Sequence, residues 1–399
     1  MPLSKPMRLE QETSTSDDAR ARWDIFSAVV DNYGDIGVCW RLARQLTAEH
    51  HLYVRLWTDS LTSFQKICSE IDPLSPIQYS RGVEIRQWTD ALADVEPADV
   101  VIEAFGCKLP TAYVEAMATK NDRRRVWINL EYLSAEEWVD SHHGLVSPHP
   151  QLPLTKHFFF PGFSSGTGGL LAENGLSNRR RDFQSNARLK DEFWREIDLP
   201  APEKEETRIS LFCYENKAVS NLFSGWAEAE TPVVCIVPEG IATKQIELFF
   251  GHPHLVPGNF FKKGRLMVWV LPFLEQDTYD KLLWACDFNF VRGEDSFVRA
   301  QLAARPMAWQ IYPQQEGAHW PKLKSFLGRY CVGLSRGVAE MLREFTEKWN
   351  RGEAGGMDWK NLWAHRAELE NHARDWAGKL AEKEDLATNL VKFCNSKLK

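Results

Sequence analysis

The chain has 399 residues, of which 44% are apolar and 26% charged, and this length accommodates two domains of about 150 to 200 residues each. The formal net charge of −7 argues against direct binding to nucleic acid or to an anionic membrane, and no stretch approaches the roughly 20 apolar residues of a membrane span. Eight cysteines without a CxxC pair, most of them inside apolar runs, fit the reducing cytoplasm better than a disulfide framework.

The N-terminal part of the chain begins with a polar stretch, residues 1–21, that lacks the apolar core of a signal peptide and is predicted to be disordered. Strands are then predicted in "DIFSAVV", "HLYVRLWTD", "GVEIRQW", "ADVVIEAFG" and "RRRVWINLEYL", and a helix in "VCWRLARQLTAEH". Strands that alternate with helical spacers indicate a parallel sheet covered by helices on both faces. Residues 22–185 are therefore predicted to form one Rossmann-like domain.

The middle of the chain is rich in Pro, Gly and Ser, and "NARLKDEFWREIDLPAPEKEETR", read as a short helix followed by a Pro/Glu segment, predicts a linker at residues 186–206. The strand–helix alternation then restarts in "RISLFCYEN", "TPVVCIVPEG", "RLMVWVLPF", "FNFVRGE" and "RPMAWQIYP", which predicts a second Rossmann-like domain at residues 207–375. Residues 376–399 are expected to be C-terminal helices that can pack back on the first domain. Two such domains suggest a ligand in the cleft between them, at the carboxyl ends of strands.

The turn after the first predicted strand, "VVDNYGDIGVCW", contains Asp31, Gly34, Asp35 and Gly37. The glycines permit a tight turn and close approach to a ligand, whereas the missing GxGxxG spacing argues against an NAD-dependent enzyme. Capping of the next helix accounts for one of the two aspartates. A catalytic carboxylate at this turn remains an equal alternative.

A second charged turn, "FNFVRGEDSFVRAQ", also joins a predicted strand to a predicted helix. Asp295 or Ser296 can cap that helix, and acidic residues suit its first turn. Capping does not explain Glu294 or Arg292. A ligand with hydroxyl groups and a diphosphate would use all four residues, because helix N-termini bind phosphate oxygens.

Four long motifs carry a family resemblance: "DNYGDIGVCWRLARQL", "LFCYEN", "LPFLEQDTYDKLLWACDFNFVRGEDSFVRAQLA" and "WQIYPQQEGAHWPKL". In their order they resemble the EarP family of elongation factor P arginine rhamnosyltransferases, from about residue 23 to the C-terminal helices. The resemblance implies a GT-B fold, in which two Rossmann-like parallel-sheet domains face each other across a cleft. It also implies an inverting glycosyltransferase that moves L-rhamnose from TDP-β-L-rhamnose to an arginine of elongation factor P, without a metal or another cofactor.

The same resemblance implies the site residues. Asp35 is expected to be the base, with Asp31 and Glu294 as the other catalytic carboxylates. The residues expected to bind the donor are Gly34, Phe212, Tyr214, Phe273, Gln276, Tyr279, Arg292, Asp295 and Ser296. Phe273 and Tyr279 are expected to enclose a thymine ring whose edge Gln276 reads, although the two rings also fit a hydrophobic staple at a helix start.

The acceptor chemistry gives a reason for paired carboxylates. A guanidinium is almost fully protonated near neutral pH, so nearby carboxylates are needed to orient it and to accept a proton as the C–N bond forms. The histidines of "SHHGLVSPHP" match no strong metal-ligand spacing. Two other functions remain open on these residues: a sugar-nucleotide epimerase or hydrolase on the same fold, and a nucleotide-binding module without catalysis.

Overall fold

The computed structural model describes residues 21–29, 33–89, 95–119, 124–240, 242–252, 255–353 and 355–398. Most of the N-terminal stretch that was predicted to be disordered, and the candidate Asp31, lie outside the described residues. The described residues form two α/β domains, each built around one mainly parallel sheet. Within these ranges no helix is both long and apolar enough to cross a lipid bilayer.

The first domain contains an eight-stranded sheet in the order β3-β4-β2-β1-β5-β6-β8-β7. Its strands are β1 Arg22–Ser27, β2 Tyr53–Thr58, β3 Ile77–Ser80, β4 Val83–Gln87, β5 Val100–Ala104, β6 Val126–Leu130, β7 Val146–Pro148 and β8 Thr155–Phe159. All pairs are parallel except those of the edge strands β3 and β7. The five predicted strands are all present.

The strands β3, β7 and β8 were not predicted. β3 and β7 lie at the two edges of the sheet, where most of their residues are exposed or half-buried. An edge strand buries little surface, so it lacks the apolar run by which a strand is recognised. β8 begins among exposed and half-buried residues, in the segment that the sequence analysis treated as a loose Pro/Gly-rich stretch.

The helices of the first domain are α1 Gly34–His50, α2 Leu61–Ile67, α3 Thr111–Thr119 and α4 Trp138–His142. Along α1, the buried apolar residues are Ile36, Val38, Cys39, Trp40, Leu42, Ala43 and Leu46. An apolar face this wide packs on the sheet on one side and leaves room for a second contact on the other. That second contact is with the second domain, as described below.

The second domain contains a six-stranded sheet in the order β11-β12-β10-β9-β13-β14. Its strands are β9 Thr207–Leu211, β10 Val233–Pro238, β11 Phe260–Lys263, β12 Leu266–Leu271, β13 Phe288–Arg292 and β14 Met307–Gln310. The five predicted strands are parallel to one another, and only the unpredicted edge strand β11 is antiparallel.

The remaining helices follow in chain order. They are α5 Leu176–Ser185, α6 Ala187–Glu196, α7 Ala218–Ala227, α8 Thr243–Phe250, α9 Gln276–Ala285, α10 Asp295–Leu302, α11 His319–Tyr330, α12 Arg336–Arg351, α13 Trp359–Ala364, α14 Arg366–Ala381 and α15 Leu386–Leu398. The stretch predicted as a linker contains α6, whose Phe193 and Trp194 are buried in the core of the second domain. The long C-terminal helical pattern is interrupted at His365, between α13 and α14.

The end of the chain returns to the first domain. Leu386, Ala387, Leu390 and Cys394 of α15 are buried in the same apolar cluster as α1. Just before α15, Asp385 accepts a hydrogen bond of 3.0 Å from Gln45 Nε2 of α1. The C-terminal segment therefore spans both domains and is part of the first core.

The two domains approach most closely where α1 meets α9 and α10. A Cβ atom added at Gly37 of α1 would lie 3.3 Å from Gln276 Nε2 of α9. The same Gln276 nitrogen donates a 2.8 Å hydrogen bond to the Gly37 carbonyl oxygen. Glycine at this position thus allows the backbone of one domain to contact a side chain of the other.

Gly37→Ala is expected to be less stable than Gly225→Ala by ~1 to 3 kcal/mol, because overpacking a close contact offsets the gain in helix propensity that both changes share. The new methyl group would displace the Gln276 amide from its bond to the Gly37 carbonyl oxygen. Gly225→Ala in α7 is the control, since a Cβ there meets nothing within 4 Å; it should stabilise the chain by ~0.5 to 1 kcal/mol. Scanning calorimetry of both variants checks the prediction, and equal stabilisation by both would contradict it.

Candidate active site

A cavity of about 610 Å³ lies between the two domains. The first domain contributes the residues around the start of α1 to its wall, and the second contributes residues that follow the carboxyl ends of β9, β10, β12 and β13. The lining residues are Tyr33, Gly34, Gly37, Ile67, Phe212, Pro238, Phe273, Leu274, Gln276, Tyr279, Arg292, Gly293, Glu294, Asp295 and Ser296. The structure therefore brings together every residue that was expected to bind the donor, apart from Tyr214.

A second cavity of about 840 Å³ adjoins the first, and the two share Gly34, Gly293 and Glu294. Its other lining residues are Asp35, Tyr132, Leu133, Trp309, Ile311, Tyr312, Gln314 and Lys322. Among these additional lining residues, only Asp35 had been assigned a role from the sequence. Most of the others lie in the motif "WQIYPQQEGAHWPKL", which carried the family resemblance but contains no charged turn that would have marked a site.

Aromatic rings form one side of the first cavity. The Phe212 ring lies between those of Phe273 and Tyr279, with centroid distances of 6.5 and 5.7 Å, and Phe273 also contacts Tyr33 of the first domain at 4.9 Å. A hydrophobic staple at the start of α9 would instead join Leu274, which precedes the N-cap Glu275, to Tyr279. Phe273 is therefore not in the staple position, and its ring packs across the domain boundary.

The Tyr279 hydroxyl is buried and has no hydrogen-bond partner within the part of the chain that the structure describes. Burial also raises the pKa of Tyr279 well above its usual value, so the hydroxyl keeps its proton. Buried hydroxyl groups are normally hydrogen-bonded. A ligand in the cavity that offers an acceptor to this hydroxyl would satisfy it.

The side-chain amide of Gln276 joins the two domains. Its Nε2 donates to the Gly37 carbonyl oxygen at 2.8 Å and to Asp295 Oδ2 at 3.3 Å, and its Oε1 accepts a 3.1 Å bond from Arg44 Nη2. The expected contact of Gln276 with the edge of a pyrimidine stays a prediction. In this structure the amide holds α1 against α9.

Arg292, the last residue of β13, places its guanidinium over the rings of Phe212 and Tyr214, at 4.5 Å from each centroid. Tyr214 is fixed in turn by its backbone N–H, which donates to Gln310 Oε1 at 2.9 Å, and by an edge contact with the Tyr312 ring at 5.5 Å. Cation–π contacts on both faces hold a charged group in place while its edge remains directed along the cavity wall. Tyr214 thus contacts Arg292 without lining the first cavity.

The start of α10 differs from the capping arrangement predicted from sequence. Glu294 occupies the N-cap position without a side-chain capping bond, and Asp295 is the first helical residue. The Ser296 hydroxyl donates to the carbonyl oxygen of Arg292, and Asp295 Oδ1 accepts a 2.7 Å bond from Arg41 Nε of the first domain. Neither side chain caps the helix, so its first N–H groups are not occupied by these residues.

Glu294 is half-buried at the boundary of the two cavities, where its Oε2 accepts a 3.0 Å hydrogen bond from the backbone N–H of Leu133. Burial raises the pKa of Glu294 to about 8, against the opposing effects of the Leu133 N–H and Lys322. The neighbouring carboxylates of Asp35 and Asp295 add to the rise. Glu294 is therefore mostly protonated at neutral pH.

Glu294→Gln is expected to change how stability depends on pH. The folded pKa of about 8 lies above the ~4.3 of an exposed glutamate, so the folded chain retains a proton that the unfolded chain loses between these values. The free energy of unfolding of the native chain therefore falls as pH rises through that window. Relative to the native chain, Glu294→Gln should gain at least about 2 °C in melting temperature between about pH 5 and about pH 8.

Scanning calorimetry at the two pH values measures this difference. Glu192→Gln is a suitable control because Glu192 is half-buried on α6, outside both cavities, and its pairing with Arg188 lowers its pKa, so that it stays charged over the whole window. If the difference in melting temperature between Glu294→Gln and the native chain stays constant from about pH 5 to about pH 8, the prediction is wrong.

Asp35 lies in the first turn of α1, is buried with 5% exposure, and lines the second cavity. The N-cap of α1 is Tyr33, which makes no side-chain capping bond, and Asp35 is the second residue of the helix. Capping therefore does not account for Asp35. The structure places its carboxylate on the first domain's side of the cleft, near Glu294 of the second domain.

The described residues contain no group of three or more His, Cys, Asp or Glu side chains arranged to hold a metal ion. The expectation that the reaction needs neither a metal nor a cofactor stays a prediction.

Two Rossmann-like domains, with a cavity at the carboxyl ends of their strands, form the GT-B fold of glycosyltransferases. MurG of Acinetobacter baumannii shares this fold, with a TM-score of 0.50 at 13% identity over 94% of this chain and 99% of that chain. The solved structure for EarP-mediated arginine glycosylation of translation elongation factor EF-P is more similar. It matches with a TM-score of 0.68 and 36% identity, over 94% of this chain and 99% of that chain.

Sequence comparison identifies the family. Residues 23–395 match the Elongation-Factor P (EF-P) rhamnosyltransferase EarP family. The protein-arginine rhamnosyltransferase of Pseudomonas putida is 48% identical over 95% of this chain and 100% of its own length, and that of Pseudomonas aeruginosa is 48% identical over 94% and 98%. The chain belongs to the EarP family of elongation factor P rhamnosyltransferases.

Proposed function

We propose that this chain transfers L-rhamnose from TDP-β-L-rhamnose to an arginine side chain of elongation factor P, with inversion at the anomeric carbon. Its membership of the EarP family supports the reaction class. The observation that carries the proposal is the pair of adjoining cavities that share Gly34, Gly293 and Glu294. One has an aromatic wall and a helix N-terminus, and the other contains the carboxylate of Asp35.

The first cavity is the proposed donor site. Phe212, Phe273 and Tyr279 offer ring faces and one unpartnered hydroxyl to a thymine base. The N–H groups at the start of α10 and the guanidinium of Arg292 are positioned for the diphosphate, because a helix N-terminus and a cation both favour an anion. These groups stabilise the negative charge that develops on the departing TDP.

The second cavity is the proposed entry for the acceptor arginine. The carboxylate of Asp35 orients the guanidinium and accepts a proton from the attacking nitrogen. As the new C–N bond forms, the bond from the anomeric carbon to the diphosphate oxygen breaks, and its electron pair leaves with TDP. Glu294, being mostly protonated at neutral pH, does not compete with Asp35 for that proton. Asp31 remains a candidate for a second orienting carboxylate.

Mass spectrometry of the acceptor tests this function directly. Incubation of the chain with TDP-β-L-rhamnose and elongation factor P should add one rhamnosyl group to one arginine of the acceptor. The same incubation without elongation factor P should leave the donor intact. Donor consumption in the absence of the acceptor would favour a sugar-nucleotide epimerase or hydrolase, and binding of TDP without any turnover would favour a non-catalytic module.

The proposed location is the cytoplasm. All eight cysteines are buried and none forms a disulfide. Burial raises the pKa of the Cys213 thiol to about 12, as expected for cysteines that serve as small apolar core residues. Such cysteine usage fits a reducing compartment.

Phe273→Ala should weaken the affinity for TDP by ~1 to 3 kcal/mol, the usual contribution of a base stacked on an aromatic ring. The Phe273 ring lines the donor cavity and has no role in a helix staple. Isothermal calorimetry with TDP alone measures the change. Phe260→Ala is the control, because this ring is 54% exposed on the edge strand β11 and lies outside the cavity. Unchanged affinity in a folded Phe273 variant would assign the ring to packing between the domains.

Asp35→Asn should bind TDP with near-native affinity and lose at least about 100-fold in turnover, the lower end of the effect of removing a general base. The reason is that Asp35 lines the second cavity and not the first, so the donor contacts remain. Asp191→Asn, which removes one exposed carboxylate from α6, is the control for the change in net charge. An Asp35 variant with native melting temperature and full rhamnosylation would remove Asp35 from the mechanism.

A further inference from the structure

Arg41 of α1 is a buried arginine whose N–H groups are all directed at the opposite domain or at the segment that leads to it. Its Nε donates to Asp295 Oδ1 at 2.7 Å, and its two terminal nitrogens donate to Asp280 at 3.0 and 2.9 Å. Longer contacts reach Glu173 Oε1 at 3.4 Å and the Gln276 carbonyl oxygen at 3.5 Å. The side chain has no exposed surface. The five donors of a guanidinium are thereby all used.

Four further residues complete an ionic cluster around the buried Arg41: the buried Asp280 and Arg299 and the partly buried Glu173 and Asp295. Arg299 of α10 donates to both oxygens of Asp280, at 3.1 and 2.6 Å, and to Glu173 Oε2 at 2.7 Å. Burial by itself raises the pKa of Glu173, yet the guanidinium groups of Arg299 and Arg41 lower it well below its usual value. The cluster thus holds three carboxylates against two guanidinium groups.

The position of Asp295 makes this cluster relevant to the donor. Asp295 is the first residue of α10 and lines the donor cavity. A free carboxylate there would repel the diphosphate that the helix N-terminus is proposed to bind. The adjacent Glu294 is mostly protonated at neutral pH because desolvation raises its pKa. Asp295 is neutralised differently, through the charge of Arg41 at 2.7 Å.

Arg41 and the proposed base Asp35 belong to the same helix, six residues or about 9 Å apart along its axis. A movement that withdraws α1 from the second domain would therefore remove the countercharge of Asp295 and the proposed base together. Withdrawal would leave Asp280 paired with Arg299 and Asp295 in contact only with the Gln276 amide, and the donor cavity would become more negative. An anionic donor would accordingly bind the apposed domains more tightly than the separated ones.

We infer that Arg41 is a positioning residue for the donor. From the first domain it neutralises Asp295 of the second domain. The N-terminus of α10 therefore accepts a nucleoside diphosphate only when α1, which also carries Asp35, is packed against the second domain. This inference rests on the proposed function, because it takes the first cavity as the diphosphate site. It makes donor affinity depend on a residue that does not line the donor cavity.

The experiment is a thermodynamic cycle on TDP affinity, measured by isothermal calorimetry with the full chain. Arg41→Met should weaken TDP binding at least about tenfold, since the charge of Asp295 is then uncompensated. In the background Asp295→Asn the same Arg41→Met change should alter the affinity by less than about threefold, because the charge that Arg41 offsets is absent. A role limited to folding or packing would give the same loss in both backgrounds.

Two further variants keep the cycle informative. Arg41→Lys retains the positive charge and should fold even where Arg41→Met does not. Because an ammonium group has fewer donors than the guanidinium fork, Arg41→Lys should still weaken TDP binding, but less than Arg41→Met does. In the Asp295→Asn background, Arg41→Lys should leave TDP affinity unchanged. Arg55→Met is the matched control, because buried Arg55 pairs with Asp24 inside the first domain, away from both cavities. It should lower the melting temperature and leave TDP affinity unchanged.

Native TDP affinity in a folded Arg41 variant, or an equal loss in both Asp295 backgrounds, would overturn the inference. The proposed function has a separate readout: a native chain that binds TDP but leaves elongation factor P unmodified would refute the transfer reaction and not the role of Arg41. A native chain without any affinity for TDP would refute both.

Discussion

The contact between α1 and the helices α9 and α10 is the interaction on which the rest of the cleft depends. It is made by buried charges: Arg41 reaches Asp280 and Asp295 of the second domain. Burying ions is costly, and such clusters often add little to stability. Their geometry is nevertheless specific, because each carboxylate must meet a guanidinium or remain unpaired in the interior. The cluster therefore fixes the position of α1 relative to the second domain more strictly than apolar packing would.

The position of α1 relative to the second domain decides which side chains of the two domains line the same cavity. The loop before α1 brings Tyr33 against Phe273 of the second domain, and the start of α1 brings Asp35 toward Glu294. The two acidic residues at the start of α10 are then neutralised in different ways: Glu294 by burial and protonation, and Asp295 by the guanidinium of Arg41. The acidic turn at Glu294 and Asp295 is thus compatible with the proposed anionic donor. From the sequence alone, two carboxylates beside a diphosphate were difficult to explain.

Much of the fold and of the site could be predicted from the sequence. The alternation of apolar runs and helical patterns predicted ten strands that the structure contains, because buried parallel strands are continuous apolar runs. The edge strands β3, β7 and β11 were missed since their exposed residues carry no such signal. The start of α1 was placed too late, at Val38, whereas the helix begins at Gly34. The family motifs pointed to residues that lie far apart in the chain and that the structure brings together in the first cavity.

The sequence by itself determined the two-domain α/β organisation, the family and most of the residues that line the first cavity, because periodicity and motifs are local properties of the chain. Only the tertiary structure decided which carboxylates of the cleft are paired with a guanidinium group and which have a raised pKa. Arg41 and Asp295 are separated by 254 positions, so their pairing leaves no local pattern. Likewise, the pKa of Glu294 is raised to about 8 by desolvation at the boundary between the domains and by the nearby carboxylate of Asp35 in the other domain. Electrostatic effects of this kind arise from desolvation and from distances across the cleft, and both exist only after the two domains have come together.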